Sequence, residues 1–375
     1  MKWLETPSVY HIKKDELYEL DAESFDFLKT CSSEKGCPPE VSEEFEGSEI
    51  SGFIDYCVEE GILTSSGPSG KRPPVVKSPE PSLRYLELQI TDRCNLRCGH
   101  CYIGDGNRSE LSPDRIRAIL TQFEEIQGLR LLLTGGEPLL HSRFAEVNAM
   151  LPEFYFRKAL FTNGLLLREE RIKDLNVDEI QISIDGLEEA HELIRGKGSF
   201  GPAMAAIKFC IAAGFEVSVS TMVHAGNLGD FEAMDRLFRE IGVRDWTVDV
   251  PCITGRLKEN SRFQLTPEQA GKYLGYGFGG GLHSGAAGFG CGLHLMSVSA
   301  DGRAAKCTFY SARPAGMIEE GLRTCFSRIT PVRLDSLKCD CKQIESCRAG
   351  CRYRAEILGD SLGKDLYRCV LYDTI

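Results

Sequence analysis

The sequence predicts an α/β protein: six strand–helix units forming a parallel sheet, curled into a partial (β/α)6 TIM barrel. A small α+β module precedes the barrel and a cysteine-rich region follows it. Three observations carry this reading. Apolar runs suited to buried strands alternate with helical periodicity from residue 83 to about 250. The stretch SSGPSGKRPPVVKSPEPS at 65–82 has linker composition. Eight of the chain's 16 cysteines fall within 291–375, a region with little periodicity. The expected boundaries are 1–64 for the module, 65–82 for the linker, 83–265 for the barrel and 266–375 for the remainder.

Taken in order, SVYHIKKDELYELD reads as a strand or hairpin running into a helix, AESFDFLKTCSS. SEISGFIDYCVEEGIL reads as a second helix, with Gly61 placed to end it. The barrel strands are expected at 83–91, 130–134, 157–162, 179–185, 215–223 and 245–252. Helices are expected near 112–127, 143–154, 168–175, 201–213 and 230–242. Catalytic groups of such a barrel belong at the C-terminal ends of its strands. The glycine-rich stretch 275–292 reads as an irregular connection. Beyond it, metal is expected to replace part of the apolar core.

The 375 residues are 42 % hydrophobic and 26 % charged, which suits a folded chain with a sizeable core. No apolar run approaches the ~18–20 residues needed to cross a bilayer. The N-terminus has no apolar signal region, so a cytoplasmic protein without a membrane partner is expected. The net charge of −11 makes nucleic acid a poor partner. That charge is confined to residues 1–65, which hold five Lys and 16 Asp or Glu.

In a reducing compartment, clustered cysteines point to metal rather than disulfides. CNLRCGHCY places Cys94, Cys98 and Cys101 directly after the first barrel strand. Structural zinc favours four ligands in paired C-x2-C spacing, which this is not. Three thiolates suit a four-iron cluster with one iron left open, an arrangement for chemistry rather than plain electron transfer.

These residues resemble the radical S-adenosylmethionine (SAM) superfamily over about 83–265. The resemblance implies a [4Fe–4S] cluster on Cys94, Cys98 and Cys101 that binds SAM at its open iron. His100 and Tyr102 would lie beside the bound cofactor. TGGEP at 134–138 resembles the family's GGE motif, in which Gly135, Gly136 and Glu137 hold the methionine amino group. ISIDG at 182–186 resembles the ribose-contacting segment, through Ser183 and Asp185. In HELIRGKGSF, Arg195 takes the place of an arginine that meets the SAM carboxylate.

The C-terminal array runs Cys291-x15-Cys307, Cys325, Cys339-x-Cys341-x5-Cys347-x3-Cys351 and Cys369. It resembles the SPASM domain, which holds two auxiliary [4Fe–4S] clusters, for three in all. Gly302, in DGRAAKC, agrees with that pattern. By the family pattern, Cys291, Cys307 and Cys351 bind the first auxiliary cluster. Cys339, Cys341, Cys347 and Cys369 bind the second, although CDC stands where the family has C-x2-C. The first cluster then lacks a fourth thiolate. Cys325 is the favoured candidate, with Cys252 or a substrate thiol as alternatives. Two zinc ribbons would explain the cysteine count but not the upstream motifs. Cys57 and Cys210 read as small core hydrophobes, whereas Cys31 and Cys37 bracket a turn that a metal would also suit.

The N-terminal module resembles a RiPP recognition element, the PqqD-like winged-helix fold that precedes enzymes modifying ribosomally made peptides. That resemblance implies a leader peptide bound as an added strand. The acidity of the module favours a leader carrying Lys or Arg. The expected function is maturation of a precursor peptide by a 5′-deoxyadenosyl radical, with a thioether crosslink as the leading product and flavodoxin or ferredoxin as reductant. Carbon–carbon crosslinking, epimerisation and decarboxylation use the same domains. Oxidation of a folded protein, as in sulfatase maturases, and tetrapyrrole chemistry are the other enzymatic readings. An iron–sulfur electron carrier or regulator is the non-enzymatic one.

Overall fold

The computed structural model describes residues 1–31, 48–64, 73–280 and 287–374. Cys37 and part of the linker, residues 65–72, lie outside them. Within these residues the strands form two sheets. The first is antiparallel, in the order β1 (Lys2–Trp3), β2 (Pro7–His11), β3 (Glu16–Glu19). Helices Ala22–Thr30 and Ser48–Glu59 accompany it.

The second sheet has nine strands. Six are the barrel strands β4 (Tyr85–Gln89), β5 (Arg130–Thr134), β6 (Arg157–Thr162), β7 (Glu179–Ser183), β8 (Glu216–Met222) and β9 (Asp245–Asp249), parallel and in sequential order. Their positions match the apolar runs to within a few residues. The reason is visible in β5, RLLLT, buried along its whole length as a strand covered on both faces must be. In β4 the alternation sorts the faces: Leu86 and Leu88 join the apolar core, while Tyr85, Glu87 and Gln89 occupy the alternate positions. Helix Pro113–Glu125 shows why the crossovers form. Ser112 caps it by accepting from the Arg115 N–H, Pro113 opens it, and Ile116, Ile119, Leu120 and Phe123 form its buried stripe.

The remaining three strands were not readable from sequence. β10 (Leu295–Val298) pairs parallel with β4, β11 (Arg303–Ala305) pairs antiparallel with β10, and β12 (Gly316–Met317) with β11. Two to four residues are too few to show a period. The sheet is thus continuous across residue 266. Met296, Val298, Ala304, Ile318, Leu322 and Phe326 belong to the barrel's own core, so apolar packing contributes to holding this part together.

The first sheet is anchored at the N-terminal ends of the barrel strands. Arg130, Arg157, Glu179 and Glu216 each begin a strand and together form a buried charged layer. Arg130 bonds Glu179 at 2.5 Å and Asp15 at 2.9 Å. Arg157 bonds Glu179 at 3.1 Å, pairs with Glu216, and donates to the carbonyls of Ile12 and Lys13 at 3.0 and 3.2 Å. Lys2 donates to Gly128 O at 2.7 Å, and burial lowers its pKa to about 8. Glu5 accepts from Ser82 N at 2.6 Å and Arg84 at 2.9 Å. Burial alone would raise the Glu5 pKa, but these donors lower it to about 2.

Arg157→Ala takes one of two arginines from Glu179, a partner from Glu216 and the donor from two carbonyls, so roughly 3–5 kcal/mol of stability should be lost. Urea unfolding of the full chain at neutral pH measures it. A loss below about 1 kcal/mol would mean that water satisfies this layer.

Candidate active site

A cavity of about 1480 Å³ opens inside the curled sheet. Its wall includes Tyr85 and Glu87 of β4, Leu132 of β5, Phe161 of β6, Ser183 of β7 and Ser220 of β8. Cys94, Cys98 and Cys101 line it, and so do Cys291, Cys307, Cys347 and Cys351. The two cysteine groups, nearly 200 residues apart in sequence, therefore share one cavity.

The loop carrying Cys94, Cys98 and Cys101 is clamped from two sides. Gly99 N donates to Ile194 O at 2.7 Å, and Asn260 donates to Gly99 O at 3.1 Å. Arg256 N donates to Cys101 O at 3.0 Å. On the other side, the loop after β5 bonds it through Gly136 N to Thr91 O at 2.8 Å and Glu137 N to Arg93 O at 2.7 Å. A Cβ on Gly135 would lie 2.3 Å from Thr91 O, and one on Gly136 would lie 2.4 Å from Arg93 O. The sequence suggested that these glycines admit a ligand. Their first role is to let two loops of this chain approach.

The carboxylate of Glu137 is fully buried. It accepts from Thr162 Oγ1 at 2.8 Å, Asn163 N at 2.9 Å and Leu139 N at 3.2 Å. Among the described residues it has no cationic partner, and burial raises its pKa to about 7. A neutral-donor cradle with an unpaired carboxylate suits an incoming ammonium group.

Asp185 is also fully buried, but it is spent within the protein. Oδ1 accepts from Met222 N at 2.7 Å, and Oδ2 meets Arg195 Nε at 2.6 Å and His100 Nε2 at 3.4 Å. Burial acts against its charge, and Arg195 and His100 hold its pKa well below the ordinary value. The expected ribose contact thus does not fit Asp185, which positions Arg195 and His100 instead. Ser183, Arg195 and His100 do line the cavity. Burial keeps His100 neutral by lowering its pKa to about 4, and its Nδ1 has no hydrogen-bond partner among the described residues. Tyr102 lines the cavity too, with its hydroxyl 3.0 Å from Gln89 Nε2 and its ring 5.6 Å from that of Phe309.

Of the C-terminal cysteines, Cys291, Cys307 and Cys351 interact electrostatically with one another, as do Cys339, Cys347 and Cys369, with Cys341 beside Cys347. Among the described residues no three His, Cys, Asp or Glu side chains converge closely enough for a single ion.

Cys325 does not belong with them. It is fully buried in the apolar core with Leu322 and Phe326, and its thiol donates to Met317 O at 3.3 Å. Its position on the inner face of helix Leu322–Ser327 points it into the core, which corrects its expected ligand role. Cys57 and Cys210 are core residues as expected. Cys31 is disulfide-bonded rather than a free metal donor.

Sequence reasoning missed Glu87. It stands on the cavity wall and accepts hydrogen bonds from the backbone and hydroxyl of Thr308, the residue after Cys307. Burial raises its pKa to about 7. The signal was present: a glutamate in step with Tyr85 and Gln89, alternating with leucines.

Residues 88–238 match the family described as the radical SAM superfamily. Among curated proteins, the AdoMet-dependent heme synthase of Oleidesulfovibrio alaskensis is 28 % identical over 54 % of this chain and 55 % of its own length. The sporulation killing factor maturation protein SkfB of Bacillus subtilis is 33 % identical over 37 % of this chain and 36 % of its own. The chain thus spans about half or less of these relatives. Among solved structures, SuiB of Streptococcus suis bound to S-adenosylmethionine aligns over 98 % of this chain and 100 % of its own, with a TM-score of 0.64 and 13 % identity. A second SuiB structure, bound to its precursor peptide SuiA, aligns with a TM-score of 0.60. At this identity the likeness is one of fold.

Gly136→Ala forces the two loops apart at a backbone oxygen that cannot move aside. The expected cost is about 1–3 kcal/mol of stability, with SAM affinity at least about tenfold weaker. Thermal unfolding and equilibrium dialysis with SAM measure the two. Unchanged SAM affinity would mean that the loop contact does not shape the cofactor site.

Proposed function

Residues 88–238 being a radical SAM domain, we propose that this chain is a maturase that modifies a ribosomally made precursor peptide by hydrogen-atom abstraction. One observation carries the reading: the Cys94–Cys98–Cys101 loop and the Cys291–Cys307–Cys351 group face a single cavity large enough for a peptide segment. Bound at the first loop, a [4Fe–4S] cluster with SAM supplies a 5′-deoxyadenosyl radical as hydrogen-atom acceptor. In this reading Glu137 pairs the methionine ammonium, Arg195 meets the carboxylate, and Ser183 and His100 contact the nucleoside. Two auxiliary clusters occupy the C-terminal thiols, the second on Cys339, Cys341, Cys347 and Cys369. A flavodoxin or ferredoxin is the fitting reductant.

The residues of the chain divide the remaining work. The apolar barrel wall keeps water from a reactive intermediate. Glu87 faces the cavity with a pKa near neutrality and takes a proton from the substrate once hydrogen has been removed. A thioether product suits this arrangement, because closing a cysteine sulfur onto a carbon radical releases one proton, to Glu87, and one electron, to an auxiliary cluster. The N-terminal sheet supports the peptide assignment. Among the described residues β3 pairs only with β2, and its free edge can accept a leader as a further strand. The similarity to heme synthases favours a tetrapyrrole substrate as the second reading. The open β3 edge weighs against it.

The test is anaerobic turnover with dithionite, SAM and the short cysteine-rich peptide encoded beside this chain, where one is present. Loss of a hydrogen pair from the peptide, with 5′-deoxyadenosine formed, supports the proposal. The Cys94→Ala, Cys98→Ala, Cys101→Ala variant should form no deoxyadenosine. Deoxyadenosine formed with a porphyrin and not with a peptide would favour the second reading.

Peptide modification should rise with pH through about 7, as Glu87 loses its proton. Its carboxylate is the accepting form, so activity fades as pH falls below that value. Glu87→Gln should flatten this profile and slow modification by about 10²-fold while SAM cleavage continues. A Gln variant with the parent's pH profile would assign the proton to another group.

A further inference from the structure

The thiols of Cys291, Cys307 and Cys351 leave a four-iron cluster one ligand short, and the fold brings a fourth thiol to one of them. Cys252 is buried three residues beyond the end of β9, and its thiol interacts with that of Cys351. A buried arginine fixes this contact. Arg354, three residues after Cys351, donates to Asp249 at 2.6 Å and to Val250 O at 2.8 Å, both on the segment that leads to Cys252. Its other nitrogens meet Asp365, at 3.0 Å from Nη2. Asp365 in turn accepts the Cys351 N–H at 2.7 Å. A Cβ on Gly350 would lie 2.4 Å from that same Asp365 oxygen, so the turn before Cys351 is packed against the clamp. The strand end carrying Cys252 and the turn carrying Cys351 cannot part without unpairing a buried guanidinium.

We infer that Cys252 is the fourth thiolate of the cluster held by Cys291, Cys307 and Cys351, which therefore has no open iron. The inference rests on reading those three cysteines as cluster ligands. Cys252 follows β9 and is not among the residues that line the cavity, whereas Cys351 is. A fully ligated cluster exchanges electrons and does not bind the peptide's sulfur. The substrate thiol must then be oriented by the cavity's side chains alone.

The experiment uses the full chain in a Cys94→Ala, Cys98→Ala, Cys101→Ala background, reconstituted anaerobically, so that only auxiliary clusters remain. Iron is counted, and the reduced protein is examined by electron paramagnetic resonance with and without 2-mercaptoethanol as a small external thiol. The background protein should hold about eight irons, with a spectrum indifferent to the thiol. Adding Cys252→Ser should change the spectrum, make it respond to the thiol and lower the iron count. Adding Cys325→Ser should change neither. A thiol response with Cys252 intact would show an open iron and overturn the inference. So would a Cys252→Ser protein indistinguishable from its background. If that variant does not fold, the thiol response of the background decides alone. A background protein holding no iron would remove the auxiliary-cluster reading itself and the inference with it.

Discussion

Strand β4 is the register on which the rest of the molecule depends. It pairs parallel on both sides, with β5 through Tyr85 and Arg130 and with β10 through Tyr85 and Leu295. Parallel pairing requires long crossovers, and the connection to β10 is nearly the whole barrel. From β4 the chain runs directly into the Cys94 loop. The β10–β11 hairpin, with Cys291 before it and Cys307 after it, docks on the opposite edge of the same strand. The two cysteine groups share a cavity because one five-residue strand serves both. Thr308 completes the link by bonding Glu87 in the middle of β4.

The parts of this arrangement that were legible in the sequence are those with a repeating signal. The barrel strands announced themselves because both faces are buried, as in RLLLT. Cysteine spacing marked the loops that line the cavity because a cluster needs several thiolates at close range. The glycines of TGGEP stood out by type, although the reason for them, the carbonyls of Thr91 and Arg93, is a contact between loops some 40 residues apart and has no local trace. The same applies to Asp185. Its motif was visible, but its engagement with Arg195, His100 and Met222 depends on β7 and β8 lying side by side. Cys325 misled because spacing says nothing about which face of a helix a thiol occupies.

Charge is layered along the barrel axis. At the N-terminal ends of the strands, arginines and carboxylates neutralise one another in a closed network that contributes rigidity and no chemistry. Inside, the partly buried Glu87 and the buried Glu137 have no cationic partner among the described residues and are held by neutral donors. The first arrangement is closed on itself. The second leaves protonation states responsive to whatever enters. A buried carboxylate is unfavourable by itself, and it persists here on the wall or in the loops of a cavity built to receive a partner.

The anchoring of the first sheet through Asp15 also has a geometric meaning. Asp15 meets Arg130 at the start of β5, whereas the Cys94 loop meets Gly136 just beyond the end of the same strand. The sheet and the cysteine triad therefore sit at opposite ends of the barrel strands, roughly 15 Å apart along the strand axis at ~3.3 Å per residue. In the proposed reading a leader gripped at β3 would have to traverse that height, so at least about five extended residues would separate its grip from its reacting carbon. The fold would act as a ruler: it selects substrate positions by chain length, before any side chain in the cavity discriminates among them.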